Sequence, residues 1–193
     1  FANTKLTSVH IPANVESIGY SAFFNVTALQ TVTMENGVTY IDGYAFHNCI
    51  NLVTVNMSAY VTQIGDGAFY NCSKLKNFVM PAGVTSIGAS AFYNCDALTS
   101  IWVPSSASVS ASSYSSSPFY GCATTVKIYT DASSKKSAWG TYWNYYSSGS
   151  TLTTYYSNTY ATYFKTMYPN FTVTTYGSTV TLSSYTGSET TVN

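Results

Sequence analysis

Apolar positions recur along the first two-thirds of the chain with a period of 23 residues. A leucine stands at Leu6, Leu29, Leu52, Leu75 and Leu98. Three residues on comes Val9, Val32, Val55, Phe78 or Ile101, and two further on Ile11, Met34, Met57, Met80 or Val103. A valine follows at Val15, Val38, Val61 and Val84, then Ile18, Ile41, Ile64 and Ile87, then the pairs Ala22-Phe23, Ala45-Phe46, Ala68-Phe69 and Ala91-Phe92. The apolar-polar-apolar stretch after each leucine has the period of a strand, and no window carries a long helical stripe. A unit with one short strand and apolar residues all round cannot bury its own face. Copies must stack so that like side chains form ladders. The pattern predicts a β-rich solenoid of 23-residue coils, its parallel strands in register from Leu6 to Ile128.

Two stretches are close to identical: "VTQIGDGAFYNCSKLKNFVMP" (Val61 to Pro81) and "VTSIGASAFYNCDALTSIWVP" (Val84 to Pro104). Both resemble the BspA-type leucine-rich repeats, and the resemblance covers about residues 1–130. It implies a leucine-rich-repeat fold and a secreted or cell-surface protein used for adhesion and binding, without catalysis. The repeat by itself names no partner.

Four cysteines fall in one column: Cys49, Cys72 and Cys95 at the period, and Cys122 after an insertion of four residues. Val26 holds the same position in the first full repeat. Valine in place of cysteine suits a core column, where free cysteine packs as a small hydrophobe. A zinc site wants paired ligands two to four residues apart converging on one point. A disulfide between coils is within reach of the Cα spacing, but parallel Cβ vectors suit its torsion poorly. Buried free thiols are expected, with no metal.

The period breaks at "PSSASVSASSYSSSP" (Pro104 to Pro118), which reads as a Ser-rich loop inserted at residues 105–117. The frame resumes at Phe119 and closes a solenoid of residues 1–130. Residues 131–149 read as an aromatic cap over the last coil through Trp139, Tyr142 and Trp143, because terminal coils expose apolar ladders. Residues 150–193 read as a Thr/Tyr/Ser-rich β tail, with a hairpin from Phe171 to Tyr185 about a Tyr-Gly-Ser turn.

Only 7% of the residues are charged, against a usual value of about 25%. The net charge is zero and arginine is absent, so no basic footprint marks nucleic acid or anionic lipid as a partner. No apolar run reaches the length of a spanning helix. The chain begins inside a repeat without a charged-then-apolar leader, as expected of a processed mature protein or a fragment. Sequons at Asn25 and Asn71 belong to a repeating asparagine column, which leaves Asn56 and Asn170 as the candidate glycosylation sites.

Chemistry for catalysis is thin. His10 and His47 stand in different columns, His47 where other coils place Phe24, Tyr70, Tyr93 and Tyr120. No phosphate loop or nucleophile elbow occurs, and Asp42 and Asp66 sit beside glycines at turns, where aspartate is ordinary. Neither an enzyme nor a cofactor is expected.

The outward column His10, Thr33, Asn56, Val79 and Trp102, with Lys76 and Asn77 beside it, is the candidate binding face. Trp102 is either an exposed anchor or a residue covered by the cap or tail. Two functions compete: a surface module that contacts protein or glycan, and a protomer that assembles head-to-tail into a filament or matrix.

Overall fold

The structure, a computed structural model, describes residues 1–156, 171–176 and 179–185. Each of the first coils supplies two short strands. In one sheet β1 (Ser8–Ile11), β3 (Thr31–Met34), β5 (Thr54–Asn56) and β7 (Asn77–Phe78) pair in parallel, so that Val9 meets Val32, Val32 meets Val55, and Val55 meets Phe78. In the second sheet β2 (Ser17–Ile18), β4 (Tyr40–Ile41), β6 (Gln63–Ile64), β8 (Ser86–Ile87) and β10 (Ser108–Val109) pair likewise, and their isoleucines stack. The one-coil period brings like residues face to face, which is how ladders of Leu, Val, Ile and Phe come to fill the interior.

Phenylalanines form one such ladder. Phe1, Phe23, Phe46, Phe69, Phe92 and Phe119 stack with centroids 5.1–5.9 Å apart. Phe46, Phe69 and Phe92 are fully buried, each burial worth about 1.5–3 kcal/mol. After each phenylalanine the chain turns sharply through a residue with positive φ: Asn25, Asn48, Asn71 and Asn94 at 54–59°. Asparagine tolerates that region better than other side chains bearing a Cβ. Its amide also donates to the asparagine of the preceding coil, as Asn71 Nδ2 does to Asn48 Oδ1 and Asn94 Nδ2 to Asn71 Oδ1, both at 2.9 Å. Gly121 ends this row, and a Cβ there would overlap Asn94 Oδ1.

The structure departs from the sequence reading in three places. The first sheet stops at Phe78: β9 (Ser100–Trp102) pairs instead with β11 (Lys127–Tyr129) in a separate three-stranded sheet. Phe78 stands where other coils carry Val or Ile, and its ring packs edge-on against Phe69 and Phe92 at 5.1 and 4.8 Å. The Ser-rich segment 105–117 is not wholly an exposed loop, since Ala107 and Val109 are buried and β10 continues the second sheet. Val109 takes the place of Ile87, so the inserted part begins only after it.

Third, the parting at 149/150 runs through a hairpin of β12 (Tyr145–Ser147) and β13 (Ser150–Thr151). Beyond it β14 (Thr153–Tyr155) pairs in parallel with β11, adding a rung to the solenoid, and Leu152 is buried. Trp139 and Trp143 are buried together, centroids 4.4 Å apart, and Trp139 Nε1 donates to Ala107 O at 3.0 Å. Tyr142 is half-buried and lies against Tyr114 and Tyr145 instead. The strands β15 (Phe171–Tyr176) and β16 (Thr179–Tyr185) form an antiparallel hairpin.

Candidate binding surface

The outward column of the first sheet carries mostly engaged groups. His10 Nε2 lies 3.0 Å from Glu35 Oε1, while Glu35 Oε2 accepts the Ala13 N–H at 2.9 Å. Asn56 Nδ2 reaches Thr33 Oγ1 at 3.5 Å, a weak contact, and Lys76 is exposed. Asn77 lies on β7, and the placement of its side chain is outside the described residues. Trp102 is not an exposed anchor: only 2% of its surface is open. In-register pairing sets Tyr129 beside it, Val79 packs on the other side, and Tyr129 stacks on Tyr155 at 5.0 Å. The open ring at this end of the column is therefore not Trp102 but Tyr155, 40% exposed, two rungs further on.

Of the sequons, Asn56 is exposed on β5, but Ser58 is fully buried and accepts the Tyr60 N–H at 3.2 Å. Asn170 lies outside the described residues. Asn25 donates its amide to Asn3 within the asparagine row.

The cysteine column has a hydrogen-bonding role that the spacing did not disclose. Each thiol donates to a phenylalanine carbonyl in the preceding coil: Cys49 to Phe23, Cys72 to Phe46 and Cys95 to Phe69 at 3.2 Å, and Cys122 to Phe92 at 3.1 Å. The carbonyls of Phe46, Phe69 and Phe92 each accept a second bond from the backbone of the cysteine three residues on. All four thiols are buried and free. Burial pushes the thiols of Cys49 and Cys122 up to about 12 and those of Cys72 and Cys95 well above the usual value.

A depression of about 330 Å³ opens over the second sheet. Tyr20, 67% exposed, and Tyr44 stand edge to face at its rim, centroids 5.7 Å apart. Tyr40, Gln63, Asp42 and Asp66 lie within it. Tyr44 adopts φ 55°, at a position that other coils fill with Ser21, Gly67 and Ser90. The glycines below make the space: a Cβ on Gly67 would stand 2.6 Å from the Tyr44 ring, and one on Gly88 would overlap the backbone of Gly65 and Asp66.

Both carboxylates are held by backbone. Asp42 Oδ1 accepts the Gly43 N–H at 2.6 Å and the Tyr40 hydroxyl at 3.2 Å, and Asp66 Oδ1 accepts the Ala89 N–H at 2.7 Å. Burial, the bond to Asp42 and the charges of Asp42 and Asp66 together raise the pKa of the Tyr40 hydroxyl. No lysine or histidine lines the depression among the described residues. Such a site presents ring faces and fixed acceptors, which suit holding a ligand. The signal that could have found it was divergence between columns: Tyr20, Tyr44, Asp42 and Asp66 depart from the repeat where neighbouring coils keep Gly, Ser or Ala.

Among the described residues no helix is long and apolar enough to cross a membrane, and no three His, Cys, Asp or Glu side chains gather as metal ligands would. A comparison with curated proteins found no match. Solved structures do match. A leucine-rich cell surface protein from Faecalibacterium prausnitzii is 30% identical with a TM-score of 0.59, over 77% of this chain and 36% of that one. A leucine-rich repeat protein from Bacteroides ovatus is 28% identical with a TM-score of 0.54, over 63% and 39%. The leucine-rich repeat protein of T. pallidum, 22% identical with a TM-score of 0.57 over 65% and 59%, shares the fold. The chain thus spans between about a third and three-fifths of the length of these relatives. The family described as the BspA type leucine rich repeat region matches residues 1–126 in six copies, and the chain belongs to that family.

Proposed function

We propose that this chain is a non-catalytic binding module of a secreted or cell-surface protein, and that it contacts its protein or glycan partner through the tyrosine-lined depression. The family supports a repeat that serves interaction, and the F. prausnitzii relative is described as a cell surface protein. One observation carries the choice of face: the Tyr44 ring lies over Gly67 in a column that the other coils fill with Ser21, Gly67 and Ser90, and together with Tyr20 it leaves aromatic surface open to solvent. Exposed apolar surface rimmed by polar groups marks an interaction site. The test is binding of the labelled chain to host and bacterial surfaces. Replacing Tyr20 by Ala and Tyr44 by Ser together abolishes binding, whereas His10→Ala and Lys76→Ala preserve it. The reverse pattern moves the contact to the first sheet.

Self-assembly is the second reading, on a separate observation. The hairpin of β15 and β16 pairs only with itself among the described residues, and open strand edges are templates for another chain. Electron microscopy of the full chain distinguishes filaments from discrete particles.

A further inference from the structure

We infer that the depression between Tyr20 and Tyr44 takes the ring of a neutral saccharide. This rests on the reading that the depression is the contact site, and it names the ligand class. Its volume, about 330 Å³, falls at the lower end of small-molecule sites, which run to about 300–1,000 Å³.

Three features select the ligand. Tyr20 offers an open ring that can cover the C–H face of a sugar while its hydroxyl stays wet. Asp42 and Asp66 supply oriented acceptors. Backbone N–H groups pin Oδ1 of each, and Oδ2 of each carries no hydrogen bond among the described residues. A sugar hydroxyl donating to such an oxygen makes a charge-assisted bond, about twice as strong as a neutral one. Holding the acceptors in place beforehand lowers the ordering cost of binding.

Charge and donor chemistry exclude the rivals. Two carboxylates with no lysine or histidine in the lining repel sialic acid, uronate and phosphate. A basic peptide fits the charge but not the rest. The two rings stand edge to face at 78° against one another, not as opposed walls around a cation. The lining also holds Gln63, Ser86 and Ser110, which supply donors as well as acceptors. A hydroxyl uses both, whereas ammonium and guanidinium groups only donate. Finally, a chain with seven cations and seven anions has no net field to steer a charged partner.

The test is an array of immobilised neutral gluco-, galacto- and manno-oligosaccharides, their sialylated or uronate-bearing counterparts, and an octa-arginine peptide, with calorimetry on each hit. The full chain is expected to bind a neutral oligosaccharide with little dependence on salt. Asp42→Asn and Asp66→Asn, which keep shape and backbone contact, each weaken binding about tenfold. Tyr20→Ala weakens it similarly, Tyr20→Phe restores it, and Asp131→Asn outside the depression changes nothing. Thermal melting confirms that each variant is folded. Preference for the peptide or the acidic glycans, no neutral hit, or a hit that survives Tyr20→Ala with Asp42→Asn overturns the inference. Surface binding that needs Tyr20 and Tyr44 yet is not competed by neutral saccharide overturns only the ligand class. Surface binding that ignores both residues removes the contact site itself.

Discussion

The ring of Tyr44 lies across Gly67 of the next coil, so close that a Cβ on Gly67 would stand 2.6 Å from Tyr44 Cε1. Both residues occupy the same column, and both have positive φ, 55° and 58°. The column calls for a small residue in each coil. Glycine supplies it at no steric cost, whereas tyrosine carries a strain of about 1–2 kcal/mol in that region. Tyr44→Ser leaves that backbone conformation as it is, since Ser21 and Ser90 hold the same φ, and gives up only the contacts of a ring at an open rim, so it changes the free energy of unfolding by less than about 1 kcal/mol. Gly67→Ala destabilises by more than about 1 kcal/mol, since it adds both strain and a clash. Denaturant titration of the two variants checks the pair. A larger loss from Tyr44→Ser than from Gly67→Ala would assign the tyrosine a structural role.

The thiol row makes a prediction in the opposite pH direction from most proteins. Cys49 and Cys122 ionise near 9 when exposed but only at about 12 in place. Between those values the folded chain holds more protons than the unfolded one, so stability falls as pH rises from about 9 toward 12. At lower pH the native thiols resist alkylation, and after denaturation all four cysteines take up label without prior reduction. Mass measurement reads both states. Label on the native chain, or fewer than four after denaturation, contradicts the buried free row.

His47 acts at the other end of the scale. Its ring is stacked between Phe24 and Tyr70 at 4.8 Å on each side, and burial lowers its pKa below 6.5. The unfolded chain therefore binds a proton first as pH falls. Stability contributed by the neutral ring is present above about 6.5 and declines below it until the folded ring also titrates. His47→Tyr, the residue of the following coil, removes that part of the acid sensitivity while keeping the stack. Melting curves from pH 7.5 to 4.5, about the range His covers, separate the two chains. Parallel curves would mean that His47 titrates alike in both states.

The sequence made the ladders legible because a period constrains every coil at once: Leu29, Ile41 and Phe46 are buried where the spacing put them. It hid what depends on a single coil. Phe78 reads as one more apolar residue of its column, yet the first sheet ends at its strand. Alternation points Trp102 outward and leaves it either an exposed anchor or a covered residue; the structure covers it, with Tyr129, one rung on in a coil of altered length, beside it. Ala107 and Val109 were masked by the serines around them. The depression escaped notice for the converse reason: a motif search rewards what repeats, and its residues are those that break the repeat. Asp42 and Asp66 do cap turns, as aspartate at a turn is expected to, and that ordinary role concealed their second oxygens.

The boundary of the folded unit follows from β14. Leu152 is buried, its N–H donates to Asn144 O at 2.9 Å, and the strand behind it pairs with Lys127 to Tyr129. Gly121 N–H reaches Tyr146 O at 2.8 Å, which ties the aromatic segment to the same end. Cutting the chain after residue 149 removes Leu152, worth about 1.5–3 kcal/mol, together with the parallel rung, and uncovers the β11 edge. Such a loss is a large share of a domain's margin of about 5–15 kcal/mol. A chain of residues 1–156 is therefore expected to melt within a few degrees of the full chain and to stay dispersed. A chain of residues 1–149 is expected to melt clearly lower and to scatter light on heating. Circular dichroism and static scattering on the three lengths decide it. Equal melting of 1–149 and 1–156 would return the boundary to residue 149, and weaker self-association of 1–156 than of the full chain would assign the assembly contact to the hairpin of β15 and β16.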